Sequence, residues 1–164
     1  MKGTGSFFII FFLSIVSLFG QQADGISRKN LANSDINLMN NHSPASQLEN
    51  FSLLPGYEVN LFAAEPMLAN PIHMTWDARG RLWVACSWAY PQLKPGEKAN
   101  DKVIILEDTD NDGKADKSTV FAEGLYMPTG IALANGGCYV AQTPDVFFFR
   151  DTDGDDVADT RELP

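Results

Sequence analysis

The chain has 164 residues, 45% of them hydrophobic and 20% charged, with 12 Lys+Arg against 21 Asp+Glu and a formal net charge of −9. That balance argues against nucleic acid as a partner, because phosphate recognition needs clustered Lys and Arg. Two cysteines exclude a disulfide-framed miniprotein and a multi-cysteine zinc module, and no Cys-x-x-Cys-His is present to attach a c-type haem.

In chain order, residues 1–20 open with Lys2 and continue into an apolar stretch from Phe7 to Phe19, broken only by Ser14 and Ser17. A membrane span needs about 20 apolar residues, whereas a signal-peptide core needs about 7–15. The segment is therefore predicted to be a signal peptide, which places the protein in the periplasm or outside the cell. An uncleaved anchor is the alternative, and it is the one route to a membrane that the sequence offers. Residues 21–50 are rich in Asn, Gln and Ser and hold no aromatic residue. Such a stretch cannot bury enough apolar surface to offset its ordering entropy, so it is expected to be a disordered tether, with His42 solvated.

From Phe51 to Pro164 the pattern is short β-type runs separated by turn signals. Met74–Trp76, Leu82–Ala85, Val103–Glu107 and Ser118–Ala122 are predicted strands, with Asp77-Ala-Arg-Gly80 as a tight turn. The set then recurs. Pro71–Ala85 aligns with Pro128–Ala141 over one deletion, and Glu107–Asp116 aligns with Arg150–Asp159. An insertion around Pro91–Lys98 accounts for the unequal offsets. The expected fold is all-β, a partial β-propeller of one four-stranded antiparallel blade plus a second cut off before its fourth strand. Such a piece leaves a blade face open, so the rest of a propeller, or other copies of the chain, is the expected partner.

Glu107–Asp116 and Asp151–Glu162 together hold 11 of the 21 acidic residues. Asp108, Asp110, Asp112 and Asp116 occupy positions 1, 3, 5 and 9 of one loop. Asp151, Asp153, Asp155 and Asp159 do so in the other, with Glu162 at position 12. This spacing suits the six to eight oxygen ligands of calcium. The first loop keeps Gly113 at position 6 but has Thr119 at position 12; the second has Asp156 where that glycine would stand. A solvated acidic turn is the competing reading. Both loops join the third and fourth strands of a unit, so calcium there would be structural, opposite the loop face that carries Trp88, Tyr90, Gln142, Asp145 and His73. These five are the candidate ligand-face residues.

His73, the one histidine of the folded body, could serve as a base or ligand contact, or be structural; no Ser, Asp or Glu partner for it is identifiable. Trp76, Trp83, Phe121, Tyr139 and Phe147–Phe149 are expected to pack in the core and between blades. Arg79 and Arg81 are expected at the surface or in salt bridges. Cys86 and Cys138 fall at opposite ends of equivalent strands, which disfavours a disulfide. No catalytic or cofactor-binding residue can be named.

Several motifs together carry a family resemblance: Pro55-Gly-Tyr-Glu-Val59, Phe62-Ala-Ala-Glu-Pro66, Arg79-Gly-Arg-Leu-Trp-Val84, Ile104-Ile-Leu-Glu-Asp-Thr-Asp110 and Pro128-Thr-Gly130. From about Phe51 to Pro164 the chain resembles the N-terminal β-propeller of the membrane-bound dehydrogenase proteins of Planctomycetes, Verrucomicrobia and Bacteroidetes. More distantly it is similar to the soluble quinoprotein glucose and sorbosone dehydrogenases. The resemblance implies oxidation of a sugar-like alcohol or aldehyde with pyrroloquinoline quinone, in a complete protein with further blades and a haem domain. It implies no activity for this segment alone. The rival expectation is a non-catalytic propeller that binds glycans or partner proteins through the Trp88–Lys98 loop.

Overall fold

The computed structural model describes Phe8–Ile9 and residues 43–163 without Lys94. The remainder of the expected signal peptide and residues 21–42 of the expected tether, His42 included, lie outside the described residues. Two compact units divide the chain, Met1–Leu61 and Phe62–Pro164.

In the first unit, β1 (Phe8–Ile9) pairs in parallel with β2 (Glu58–Val59). Between them lies the short helix α1 (Pro44–Leu48). Its start follows from local chemistry: Ser43 is extended, its Oγ accepts the Ser46 amide at 3.3 Å, and Pro44 occupies the first turn, where an amide proton would have no partner. The helix falls inside the stretch expected to be a tether. One capped turn is too short to print a helical stripe on the sequence. Among the described residues, no helix is long and apolar enough to cross a membrane.

The second unit holds two four-stranded antiparallel sheets. The first is ordered β3 (Pro71–Trp76), β4 (Leu82–Cys86), β5 (Asp101–Glu107), β6 (Lys117–Leu125). The second is ordered β7 (Gly130–Ala134), β8 (Gly137–Gln142), β9 (Asp145–Arg150), β10 (Thr160–Glu162). β4 is buried at all five positions, which is why Leu82–Cys86 is a continuous apolar run rather than an alternating one. The all-β expectation and the strand pairs hold. The second repeat is not cut short of its fourth strand: Thr160–Glu162 pair antiparallel with Phe148–Arg150. Neither sheet closes on itself.

Turn chemistry sets the hairpins. Gly80 closes the β3–β4 turn at φ 77°, and the Asp77 carboxylate accepts the amides of Arg79 and Arg81. Asn135 and Gly136 both take positive φ, the two-residue hairpin turn that matches strand twist. The sheets share one core, in which Trp83, Ile105, Phe121 and Leu125 of the first meet Ile131, Val140 and Phe149 of the second. Trp83 meets Phe121 edge-on at 4.6 Å. Trp76 departs from expectation. It is 45% exposed and packs edge-on against Phe62 at 5.5 Å, because β3 is an outermost strand of its sheet and one face is open.

Candidate metal centres

Antiparallel order brings the β3–β4 turn and the β5–β6 loop to one end of the first sheet, and the β7–β8 turn and the β9–β10 loop to one end of the second. The acidic residues lie in these loops. Carboxylate oxygens of Asp108, Asp110 and Asp116 all lie within 4.8 Å of one another, as do those of Asp151, Asp153 and Asp159. These are positions 1, 3 and 9 in both loops.

The other predicted ligands stand outside the triplets. Asp112 and Asp155, at position 5, accept the amides of Lys114 and Val157 at 2.8 Å and so fold the loop. Glu162 lies in β10 opposite Phe148.

The two loops share several bonds. The position-6 amide donates to the position-1 carboxylate, Gly113 to Asp108 at 2.8 Å and Asp156 to Asp151 at 2.9 Å. Threonine at position 2 donates its hydroxyl to the position-9 carboxylate, Thr109 to Asp116 at 2.7 Å and Thr152 to Asp159 at 2.6 Å. The position-8 amide reaches out of the loop at 2.8 Å in each case, from Ala115 to the Phe62 carbonyl and from Ala158 to the Phe121 carbonyl.

Backbone conformation explains the exchanged glycine. Positions 4 and 6 are left-handed in both loops: Asn111 (φ 61°) and Gly113 (φ 88°) in the first, Gly154 (φ 87°) and Asp156 (φ 67°) in the second. Asn and Asp tolerate that region better than other side chains, so one glycine per loop suffices at either place.

In the second loop the three carboxyls of the triplet shift in opposite directions. The Asp155 charge foremost, then Asp159 and Asp151, push the Asp153 carboxyl above its ordinary range. The Gly154 amide and its neighbours hold Asp151 below that range, and the Thr152 hydroxyl and amide do the same for Asp159. An all-oxygen aspartate set with mutual repulsion fits a hard dication such as calcium, whereas zinc would want nitrogen or sulfur ligands.

Of the two settings expected for Arg81, surface or salt bridge, the structure shows the second, with the side chain 7% exposed. Its guanidinium donates to Asp77 at 2.7 Å and to Asp156 at 2.8 Å, so it ties the first sheet's turn to the second sheet's acidic loop. Burial, the largest single influence on Asp77, would raise its carboxyl. The Arg81 amide, the Trp83 indole N–H, the Arg81 guanidinium and the Arg79 amide together outweigh it and hold the group at about 2. A cleft of about 350 Å³ opens beside this cluster, lined by Arg79, Trp83, Phe121, Asn135 and Gly137 among others.

Of the ligand-face candidates, Trp88 and Tyr90 lie in the β4–β5 connection, 50% and 63% exposed. Gln142 ends β8 opposite Asp145, which starts β9. The Gln142 side chain accepts the Tyr126 amide at 2.8 Å. His73 lies within β3, paired with Ala85, and its Nδ1 accepts the Ile131 amide of the second sheet at 3.4 Å. It is thus an inter-sheet contact.

Sequence reasoning missed Asp101, which is fully buried and accepts from the Ser87 hydroxyl (2.7 Å), the Ala89 amide (2.8 Å) and the Met127 amide (2.7 Å). An isolated aspartate before a strand leaves no pattern to find.

Compared with known proteins, residues 43–163 match the model of a family described as Domain of unknown function (DUF7133). No curated protein and no solved structure matches the chain.

Proposed function

Starting from a chain that belongs to the DUF7133 family, we propose that its two sheets are adjacent blades of a β-propeller, each fastened at its outer hairpin by calcium, forming the N-terminal part of an exported, dehydrogenase-like protein. One observation carries the reading: the acidic loop occurs twice, with the same carboxylate triplet, the same position-6 and threonine bonds and the same outward amide. Asp108, Asp110 and Asp116 would hold one ion and Asp151, Asp153 and Asp159 the other, with the position-7 carbonyls of Lys114 and Val157. Calcium would neutralise the packed carboxylates and stiffen the hairpin tips. The Thr109 and Thr152 hydroxyls orient the position-9 carboxylates. Arg81 carries the order of the second loop into the first sheet through Asp77.

The catalytic part rests on the family resemblance. Oxidation of a sugar-like alcohol or aldehyde with pyrroloquinoline quinone would belong to the complete propeller, and these two blades serve it as scaffold. A second reading, a non-catalytic propeller that binds glycans or partner proteins, draws on the exposed Trp88 and Tyr90. Quinone-dependent dye reduction by the complete protein supports the first reading; glycan capture without any quinone effect favours the second.

The calcium assignment is tested by calorimetric titration and thermal unfolding with and without chelator. At calcium a hundredfold above Kd, each loop should add about 2.7 kcal/mol. Asp108→Ala with Asp151→Ala should abolish that gain. An unfolding temperature indifferent to chelation would refute the assignment.

A further inference from the structure

An asparagine followed by glycine readily loses its side-chain amide, because a residue without Cβ leaves the next backbone nitrogen open to reach the asparagine Cγ. Among the asparagines of this chain, Asn135 alone precedes a glycine. Asn135 and Gly136 form the β7–β8 turn, and both are exposed. A Cβ built on Gly136 would meet nothing within 4 Å. Among the described residues, the Asn135 amide makes one exposed hydrogen bond, from Nδ2 to the Tyr139 hydroxyl at 3.0 Å.

Two Asp-Gly pairs among the described residues offer the same backbone geometry, Asp112-Gly113 and Asp153-Gly154. Their glycine amides are tied down, Gly113 to Asp108 at 2.8 Å and Gly154 to Asp151 at 2.7 Å. No carboxylate or carbonyl among the described residues holds the Gly136 amide, since a two-residue turn leaves its second N–H to solvent. The attacking nitrogen is thus free at one of the three sites.

We infer that Asn135 is a site of spontaneous covalent modification, at which the protein converts its own asparagine to aspartate and isoaspartate and so loosens the β7–β8 hairpin with age. The Gly136 nitrogen loses its proton and bonds to the Asn135 Cγ. The Cγ–Nδ2 bond breaks, and ammonia departs carrying that proton. Water then opens the resulting cyclic imide at either carbonyl, giving aspartate or isoaspartate with no oxidant or reductant. Both products place a carboxylate in the wall of the cleft shared with Arg79. Isoaspartate also adds one methylene to the main chain between Ala134 and Gly137, which pair across the turn. Gly137 cannot take up that length, because it lies so close to β9 that an added Cβ would sit 2.3 Å from the Phe149 carbonyl oxygen. The strain therefore falls on β7, which has β8 as its one ladder neighbour. This chemistry requires neither calcium nor a closed propeller.

Peptide mapping by mass spectrometry tests it, on the 164-residue chain held folded at physiological temperature in mildly alkaline buffer. Asn135 should convert to acid with isoaspartate in excess, and the rate should rise with pH because the attacking nitrogen must lose its proton. Asp112→Asn is the matched control, an Asn-Gly pair whose glycine amide is bound to an ionised carboxylate. Its Asn-Gly bond should convert about tenfold more slowly than Asn135 or slower still. The aged protein should lose roughly 5 °C or more in unfolding temperature. Asn135→Asp carries the charge without the added methylene and should lose less, and Asn135→Gln, which would have to close a larger ring, should keep its unfolding temperature through the same incubation. An Asn135 that stays amidated in the folded chain while the urea-unfolded chain converts would overturn the inference. Equal rates at position 135 and in the Asp112→Asn variant would show that the fold does not select the site, and an aged protein that unfolds like fresh protein would overturn the loosening of the hairpin.

Discussion

Replacing Arg81 with methionine isolates the charge that joins the two sheets, because methionine keeps most of the side-chain stem packed against Trp83. Breaking a buried ion pair costs about 3–5 kcal/mol when the partner charge is left bare. Here the partners are not left bare. Asp77 keeps the Arg79 and Arg81 amides and the Trp83 indole N–H, and Asp156 keeps Arg79 at 3.5 Å. Arg79 is 71% exposed, so that residual pair contributes at most about 1 kcal/mol. The expected loss for Arg81→Met at neutral pH is therefore about 2–3 kcal/mol, or roughly 8–24 °C in unfolding temperature. Urea unfolding followed by tryptophan fluorescence measures it. A double-mutant cycle with Asp156→Gly should return a coupling above about 1 kcal/mol, since glycine accepts the left-handed position but cannot hold the guanidinium.

The same substitution has a pH signature. The Asp77 carboxyl is depressed in the folded state, to about 2 from 3.8. Its contribution is therefore complete above the unfolded value of ~3.9 and disappears as pH falls through the folded one. The gap between wild type and Arg81→Met should narrow between about pH 4 and pH 2. A variant within about 0.5 kcal/mol of wild type at neutral pH, the range of an ordinary surface change, would refute the clasp.

Three further outcomes are expected. Gly137→Ala should destabilise by about 1–3 kcal/mol or more in chemical denaturation, because its Cβ would sit 2.3 Å from the Phe149 carbonyl and 2.7 Å from the Phe148 ring; an unaffected midpoint would mean that the β8–β9 approach is looser than described. Asp101→Asn presents an amide donor to three donors and should cost about 2–3 kcal/mol, while a mutant of wild-type stability would remove the carboxylate from the role of organiser of that loop end. Burial pushes the Cys86 and Cys138 thiols up to about 11 and about 12; both should resist a thiol reagent at pH 8 until denaturant is added, and rapid native-state labelling would contradict their burial.

The sequence made some of this fold plain and hid the rest for physical reasons. Continuous apolar runs such as Leu82–Ala85 and Val103–Leu106 announce strands with neighbours on both sides, and Gly80 and Asn135-Gly136 announce the turns between them. The acidic loops were visible because the same every-second-residue spacing of aspartates recurs in both copies. β10 escaped notice because Thr160-Arg-Glu162 is short, polar and half-open, so its place is set by Phe148–Arg150 rather than by its own composition. Arg81 was left between surface and salt bridge because its partners lie as far away in sequence as Asp156. Within each loop, spacing grouped aspartates at positions 1, 3, 5 and 9, of which the carboxylates of 1, 3 and 9 come together. It could not say that positions 5 and 12 would turn to backbone and strand instead.

The charges along β6 and β10 bear on how the protein behaves in a crowd. A bare strand edge is a template on which identical chains can polymerise. On β10, Arg161 lies over the Phe147 ring at 3.8 Å, and Glu162 follows it on the same strand. On β6, Lys117 pairs with Glu107 at 2.6 Å. A second molecule adding its strand there would have to strip water from these groups and bring like charges together. The protein thus carries its own deterrent against fibril growth at the edges where another copy would dock.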